Sequence, residues 1–145
     1  MLNTALGTIL AAWLAMDGSI TDLTHVRIQP IVGTADPGTT ALRADTFTVP
    51  TYSGYAAQAV TDAQLENTAA TARITARKTF PAVASGQMSG SNKLWRFVLE
   101  ASIDGGSTYP IKLYSDVINS GSGATVADGV EPYIEADTGF TAFWG

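Results

Sequence analysis

The first seventeen residues carry an apolar stripe at helical spacing. Its side chains follow one another at intervals of four, three, four and three residues, which places them on one face of an α-helix. Asp17 and Gly18 supply a stop signal directly after the stripe. The pattern therefore predicts an N-terminal helix over residues 1–17. The members of the stripe are Leu2, Leu6, Ile9, Trp13 and Met16.

Two other interpretations of this apolar N-terminus are disfavoured by its sequence. No Lys or Arg precedes the apolar run and no Ala-x-Ala site ends it, which argues against a signal peptide. About 14 apolar-leaning residues also fall short of the roughly 20 that a membrane span requires. A helix this apolar must be covered, either by the sheet of its own chain or by copies of itself in an oligomer.

After Gly18 the period of the apolar positions changes to two, which is typical of β-strands. In the first such segment Val26 and Ile28 alternate with the polar Arg27 and Gln29. Because turn residues separate segments of this kind, each is expected to be one short strand. Seven segments are predicted as strands: 23–29, 55–61, 71–80, 94–103, 109–118, 132–137 and 140–144.

Two turn signals mark the boundaries most clearly. Prolines and glycines between residues 30 and 38 predict a loop after the first strand. The sequence Asp104-Gly105-Gly106-Ser107 predicts a hairpin, because type I′ turns need positive φ. This hairpin follows the strongest strand, 94–103, in which every second residue is apolar. The apolar face of that strand is predicted to hold Trp95, Phe97, Leu99, Ala101 and Ile103.

One helix followed by about seven short strands predicts a mainly β fold. We expect an antiparallel β-sandwich or a flattened barrel with one N-terminal α-helix. The 145 residues show no internal repeat and no interdomain linker, and a chain of this length favours one domain. The predicted organisation is a single domain over 1–145, with the helix in 1–17 and the β-sandwich in 22–145.

Composition narrows the possible functions. The chain has no cysteine and one histidine, which excludes a disulfide framework, a thiolate metal site and a multi-histidine metal site. Charged residues make up only 14% of the sequence and the net charge is −5, which argues against nucleic acid as the main partner. We therefore expect no cofactor, no metal and no membrane or nucleic-acid partner.

The charge is distributed unevenly along the chain. Residues 1–99 carry six acids and seven bases, a net charge of +1, whereas residues 100–145 carry seven acids and one base, a net charge of −6. Five bases and no acid lie between Glu66 and Glu100. Two interpretations remain open at this point. Either the basic strands pair with acidic strands of the same chain, or identical copies meet basic face to acidic face.

No motif identifies a catalytic residue, and we expect a protein that is not an enzyme. His25 has no Gly-x-Ser-x-Gly elbow to serve and is interpreted as a surface or interface histidine. The acids between residues 128 and 137 lack the spacing of an EF-hand and are interpreted as an acidic edge that deters strand addition. Glu100 with Trp95 or Tyr114 is a conceivable glycosidase arrangement, but nothing in the sequence singles it out.

A stretch of about forty residues, from Asp22 to Thr61, resembles a known family through four segments. The segments are 22–28 (DLTHVRI), 36–42 (DPGTTAL), 44–47 (ADTF) and 52–61 (YSGYAAQAVT), with Ser53-Gly54-Tyr55-Ala56-Ala57-Gln58 as the most specific piece. In this order they resemble small virion structural proteins of tailed bacteriophages, of the capsid-associated or decoration type. The resemblance implies a virion structural protein and does not assign a role to any single residue.

Resemblance and composition together favour a capsid decoration or cement protein that stabilises the head by protein–protein contacts. Few charges and many Ala, Thr, Gly and Ser residues on short strands suit a repeated shell component. The expected partners are the major capsid protein or other virion proteins, with self-association into a homo-oligomer in the virion, which assembles in the host cytoplasm. Two alternatives remain: a tail, neck or fibre-base component, and a carbohydrate-binding β-sandwich adhesion module.

The predicted contact residues fall into three groups: the N-terminal stripe, a basic strand face and the C-terminal aromatic residues. Phe140 and Trp144 have an alternative place in the core, with Phe143 pointing outward. The predicted interface residues are Leu6, Ile9, Trp13, Arg73, Arg77, Phe143 and Trp144.

A charge in the N-terminal stripe is expected to abolish assembly. Trp13→Asp would place a carboxylate in a contact that must be dry, and burying an unpaired charge is strongly unfavourable. The measurement is the occupancy of the variant on shells, with the unchanged chain as the reference. Unchanged occupancy of the Trp13→Asp variant would show that the stripe is not an anchor.

Overall fold

A computed structural model describes residues 25–68, 71–102 and 105–141. This part of the chain is mainly β, as predicted, with one short α-helix and two 3₁₀ turns, Asp62–Gln64 and Asn119–Gly121. The predicted helix over 1–17 and the end of the predicted strand 140–144 lie outside the described residues. The elements are β1 (His25–Gly33), α1 (Gly38–Arg43), β2 (Gln58–Val60), β3 (Leu65–Thr68), β4 (Thr71–Ile74), β5 (Lys78–Thr79), β6 (Lys93–Ser102), β7 (Ile111–Tyr114), β8 (Tyr133–Ile134) and β9 (Gly139–Phe140).

The strands form three antiparallel sheets. The largest has four strands in the order β2-β1-β6-β7, and the others have the orders β3-β4-β9 and β5-β8. Long pairing between β1 and β6 is the centre of the fold, running from His25 opposite Ser102 to Gly33 opposite Lys93. The predicted hairpin is confirmed, because β6 and β7 pair antiparallel across the turn with Leu99 opposite Leu113. No sheet closes on itself within the described ranges.

Two apolar clusters lie on opposite faces of the four-stranded sheet. The larger cluster draws side chains from all three sheets, whereas the smaller one joins Ile31, Val98 and Tyr114 of the four-stranded sheet to Leu42 of α1. Phe47 packs edge-on against Tyr114 with ring centroids 5.8 Å apart. Fully buried members of the larger cluster include Ile28, Ile74, Met88, Leu99, Leu113 and Phe140.

A β-bulge corrects the predicted face of the strongest strand. Ile31 lies opposite Arg96 but Val32 lies opposite Leu94, so Trp95 is the extra residue on β6. Beyond the bulge the alternation is reversed, and Leu94 joins Phe97 in the larger cluster in place of Trp95. The Trp95 indole instead donates from Nε1 to the carbonyl oxygen of Gly33 at 2.9 Å. Phe97, Leu99 and Ala101 face this cluster as predicted.

The loop predicted between residues 30 and 38 is wrong in its first part, because β1 continues through Pro30 to Gly33. Proline is tolerated there because β2 pairs with β1 only as far as Ile28. At Pro30 the β2 side of the strand is therefore unpaired, and the missing N–H breaks no ladder hydrogen bond. α1 begins at Gly38, where the predicted loop ends, and was not predicted.

The predicted strand 71–80 is interrupted. β4 ends at Ile74 and β5 begins at Lys78, because the chain changes sheets between them. β4 pairs with β3 and β9, whereas β5 pairs with β8. Alternation of side chains continues along both pieces, so the sequence pattern alone does not reveal the break. β2, β7 and β8 are present but shorter than the predicted strands 55–61, 109–118 and 132–137, and the described part of the predicted strand 140–144 belongs to β9 at Phe140.

Removal of the Val98 side chain is expected to destabilise the fold by about 1.5–3 kcal/mol, the free energy of burying a valine. Val98 is 0% exposed on β6, whereas Val130 is 50% exposed, so Val130→Ala is a matched control for the same change in chemistry. The measurement is the free energy of unfolding in urea for Val98→Ala and Val130→Ala. Equal losses of unfolding free energy in the two variants would contradict the burial of Val98 on the face of β6 that packs against α1.

Candidate functional site

An apolar groove of about 620 Å³ lies at the end of the β6–β7 pair that is opposite the turn. It opens between the start of β6, the chain that follows β7 and the segment that carries β8. Its floor reaches the larger core cluster at Leu94, Phe97 and Ile134, each less than 5% exposed. Half-buried Ile118 and Val126 form part of its walls. The groove is thus a place where the apolar core comes to the surface.

The two large apolar side chains that are exposed in the described part of the chain both line this groove. Val130 is 50% exposed and Tyr133 is 48% exposed. Isolated apolar side chains are common on protein surfaces, but two beside an open apolar groove are typical of a binding surface. The sequence analysis did not identify either residue, because neither belongs to a periodic apolar pattern.

Backbone hydrogen bonds hold the walls of the groove. Leu94 and Ala124 exchange two N–H···O bonds of 2.8 Å, and Val126 N donates to the carbonyl of Met88 at 2.7 Å. On the other wall Val83 N donates to the carbonyl of Val130 at 2.9 Å. Because the walls are tied to buried residues by these bonds, the groove is preformed rather than created by a ligand.

Carboxylates surround the opening of the groove. Glu135 is paired with Arg77 at 3.0 Å, and the Arg77 guanidinium also lies 3.6 Å from the centroid of the Tyr133 ring. Asp116 and Glu131 are exposed and have no ion-pair partner among the described residues. The groove therefore has an apolar interior and an acidic rim.

The basic face predicted on residues 71–80 is paired with acids of the same chain. Arg73 forms a salt bridge with Glu66 and lies 3.6 Å from Asp137, while Arg77 pairs with Glu135. This agrees with the intramolecular interpretation of the charge distribution for these bases. An interface role for Arg73 and Arg77 stays a prediction, since both side chains are more than a third exposed.

A polar network occupies the opposite face of the four-stranded sheet. Glu100 is 3% exposed, and its Oε2 accepts hydrogen bonds from Arg27 Nε at 2.7 Å and from Gln29 Nε2 at 2.8 Å. Tyr55 donates its hydroxyl to Gln29 Oε1 at 3.0 Å, and the Arg27 guanidinium stacks 3.6 Å from the centroid of the Tyr109 ring. These contacts satisfy a buried carboxylate and join β1 to β6.

Two tyrosines beside this network hold their protons more tightly than usual. Burial raises the pKa of Tyr55, and the neighbouring Tyr52 raises it further. Burial also raises the pKa of Tyr114, with a smaller contribution from Asp45. The Tyr114 hydroxyl also donates to the carbonyl of Leu42 at 2.8 Å.

The other candidate residues from the sequence analysis lie in different parts of the fold. His25 is exposed at the start of β1, with its ring against Gly106. Glu100 accepts hydrogen bonds from Arg27 and Gln29, whereas the Trp95 indole donates to the carbonyl oxygen of Gly33. Among the acids interpreted as an edge, Asp128 accepts a hydrogen bond from Gly86 N at 3.1 Å.

The remaining predicted contact residues lie outside the described ranges: Leu6, Ile9, Trp13, Phe143 and Trp144. Phe140, for which a place in the core was one alternative, is fully buried. Across the described ranges no group of three or more His, Asp or Glu side chains is close enough together to hold a metal ion. None of the helices found in those ranges has the length and apolar character to span a membrane.

Comparison of the chain with protein-family models, with curated proteins and with solved structures gives no match.

Alkaline solution is expected to destabilise the fold through Tyr55 and Tyr114. Their folded pKa values are raised, so their contribution is complete below the ordinary tyrosine pKa of about 10 and is lost as the pH rises above it. Tyr55→Phe should therefore make the decline in unfolding free energy above about pH 10 less steep. It should also cost about 1 kcal/mol at neutral pH, because Gln29 loses a hydrogen bond.

The measurement is urea unfolding of Tyr55→Phe and of the unchanged chain across the alkaline range. Tyr133→Phe is the control at neutral pH, because the Tyr133 ring is about half exposed and that variant should keep its stability. An equally steep alkaline decline in Tyr55→Phe would show that burial does not hold the Tyr55 proton.

Proposed function

We propose that this chain is a bacteriophage virion structural protein, most specifically a capsid decoration or cement protein that acts by binding alone. The observation that carries the proposal is the preformed apolar groove with Val130 and Tyr133 exposed at its edge. Removing open apolar surface of this kind from water is favourable, so a partner that covers it gains binding free energy. Placement in a phage particle is supported by the resemblance of residues 22–61 to virion structural proteins.

The finer arrangement that we propose for the sheets is a β-sandwich or a flattened barrel. The larger core cluster includes Ile28 of β1, Ile74 of β4 and Ile134 of β8, so one core contacts all three sheets. The four-stranded sheet would form one layer and the two smaller sheets the other. The groove would then be a gap at the open edge between the layers.

Stabilisation of the shell would follow from mass action. A subunit that binds the assembled shell more tightly than free capsomers shifts the equilibrium towards the assembled state. No reaction is required of any side chain in this mechanism. The proposed partners are the major capsid protein or other virion proteins, together with further copies of this chain, and the location is the virion. A tail, neck or fibre-base position would use the same surfaces at a lower copy number.

A carbohydrate-binding module is the second candidate function, and the rim of the groove favours it. Tyr133 is an exposed aromatic ring, and Asp116 and Glu131 are carboxylates free to accept hydrogen bonds from hydroxyl groups. Aromatic rings with adjacent polar acceptors suit sugar binding. Specific binding on a glycan array would favour this function over decoration.

Decoration predicts that this chain is about as abundant in purified particles as the major capsid protein, because each shell position offers a binding site. The measurement is quantitative mass spectrometry of purified particles, followed by shell-stability assays with and without the chain. A small fixed number of copies would instead assign it to the neck or tail. Complete absence from particles would contradict any virion role.

A further inference from the structure

The strand β8 has one open edge. Among the described strands it pairs with β5 alone, and Tyr133 lies opposite Thr79 in that pair. Phe80 N donates to the carbonyl of Pro132 at 2.8 Å, and in an antiparallel pair such bonds form at every second residue. The next residue, Tyr133, therefore directs its own N–H and carbonyl away from β5. These two groups are available to pair with a further strand.

The groove lies along this open edge. Every residue from Val130 to Glu135 lines the groove, whereas neither residue of β5 does. The facing wall holds Ala124 and Val126, whose N–H groups donate to Leu94 and Met88. In the described part of the chain, no backbone hydrogen bond runs from this wall to β8. The groove is thus a gap beside an unpaired strand edge.

Side chains alternate between two faces of the chain at β8. Pro132 and Ile134 are buried, whereas Glu131, Tyr133 and Glu135 are exposed. A strand added at the open edge would continue this alternation, because neighbouring strands of a sheet share their inner and outer faces. Its inner side chains would meet the apolar floor of the groove, and its outer side chains would meet the carboxylates.

Charge complementarity calls for basic outer side chains. Glu131 has no ion-pair partner among the described residues, and neither has Asp116, which lines the groove after β7. Opposite charges that face each other on neighbouring strands are favourable, whereas like charges are unfavourable. The paired edge already shows this complementarity, since Arg77 beside β5 pairs with Glu135 at 3.0 Å. The acidic edge would thus deter acidic strands and admit basic ones.

We propose that the groove binds an extended segment of a partner protein, in which apolar and basic residues alternate, as an added strand on β8. From Glu131 to Glu135 the edge measures about 13 Å at the rise of a β-strand, which accommodates a segment of about five residues. Backbone hydrogen bonds at Tyr133 would give affinity, and the alternating side chains would give selectivity. The inference rests on the proposed function only for the source of the segment, a neighbouring virion protein.

Calorimetric titration of the full-length chain with a synthetic peptide tests this inference. The probe is a capped peptide of alternating valine and lysine, and the expected result is one-to-one binding. A control peptide of the same composition joins a block of valines to a block of lysines, which keeps the charge and removes the alternation. It should bind at least about tenfold more weakly, because it cannot place apolar residues inward and basic residues outward together.

Amide hydrogen exchange, measured for each residue by NMR, tests the strand geometry. In the free chain the Tyr133 N–H should exchange quickly, whereas the Ile134 N–H, which faces β5, should be protected. The bound alternating peptide should slow exchange at Tyr133 by at least about tenfold and leave Ile134 protected.

Two variants of the chain test the charge at the rim. Glu131→Gln removes one exposed carboxylate and keeps the size of the side chain, so binding of the alternating peptide should weaken about two- to fivefold. Asp45→Asn removes the same charge beside α1, away from the groove, and should leave the affinity unchanged. Circular dichroism of both variants checks that each is folded.

Four results would overturn the inference: no binding of the alternating peptide, equal binding of the block peptide, binding without protection of the Tyr133 N–H, or equal affinities of Glu131→Gln and Asp45→Asn. Sugar binding on a glycan array, with no peptide binding, would assign the groove to the carbohydrate function instead. Failure of the proposed function is read separately, from the abundance of the unchanged chain in particles. A chain that binds the peptide but is absent from particles would support the groove and contradict the virion role.

Discussion

Burial of β6 on both faces is the constraint on which the rest of this structure depends. Phe97 and Leu99 need apolar cover on one side of the strand, and Val98 and Glu100 need cover on the other. The smaller sheets provide the first cover, while α1 packs on the second face, where the Tyr55 hydroxyl also reaches Gln29. A carboxylate that is 3% exposed is tolerable only with donors at hydrogen-bond distance, and neighbouring β1 supplies both of them.

The same constraint accounts for the groove. The larger core cluster extends along β6 as far as Leu94, beyond the bulge at Trp95. The smaller sheets, with strands of only two to four residues, are too short to cover all of that length. The core therefore reaches the surface beside Val130, and the uncovered apolar area is the physical basis for the proposed role in binding.

The bases in residues 71–80 are paired with acids of the same chain, whereas the rim of the groove carries exposed carboxylates. Arg73 and Arg77 are neutralised by acids brought close by the pairing of β4 with β3 and β9 and of β5 with β8. The exposed carboxylates of Asp116 and Glu131 have no ion-pair partner among the described residues, and they place negative charge at the rim of the groove.

Sequence alone determined the mainly β class, the β6–β7 hairpin and the inward face at Phe97 and Leu99, because local turn chemistry and a period of two act over a few neighbouring residues. Only the tertiary structure decided the rest. The bulge at Trp95, the passage of β1 through Pro30 and the pairing of Glu100 with Arg27 depend on which strand lies alongside, and the partners are some seventy residues apart along the chain. The groove depends on where short sheets stop covering a long strand, which no local pattern records.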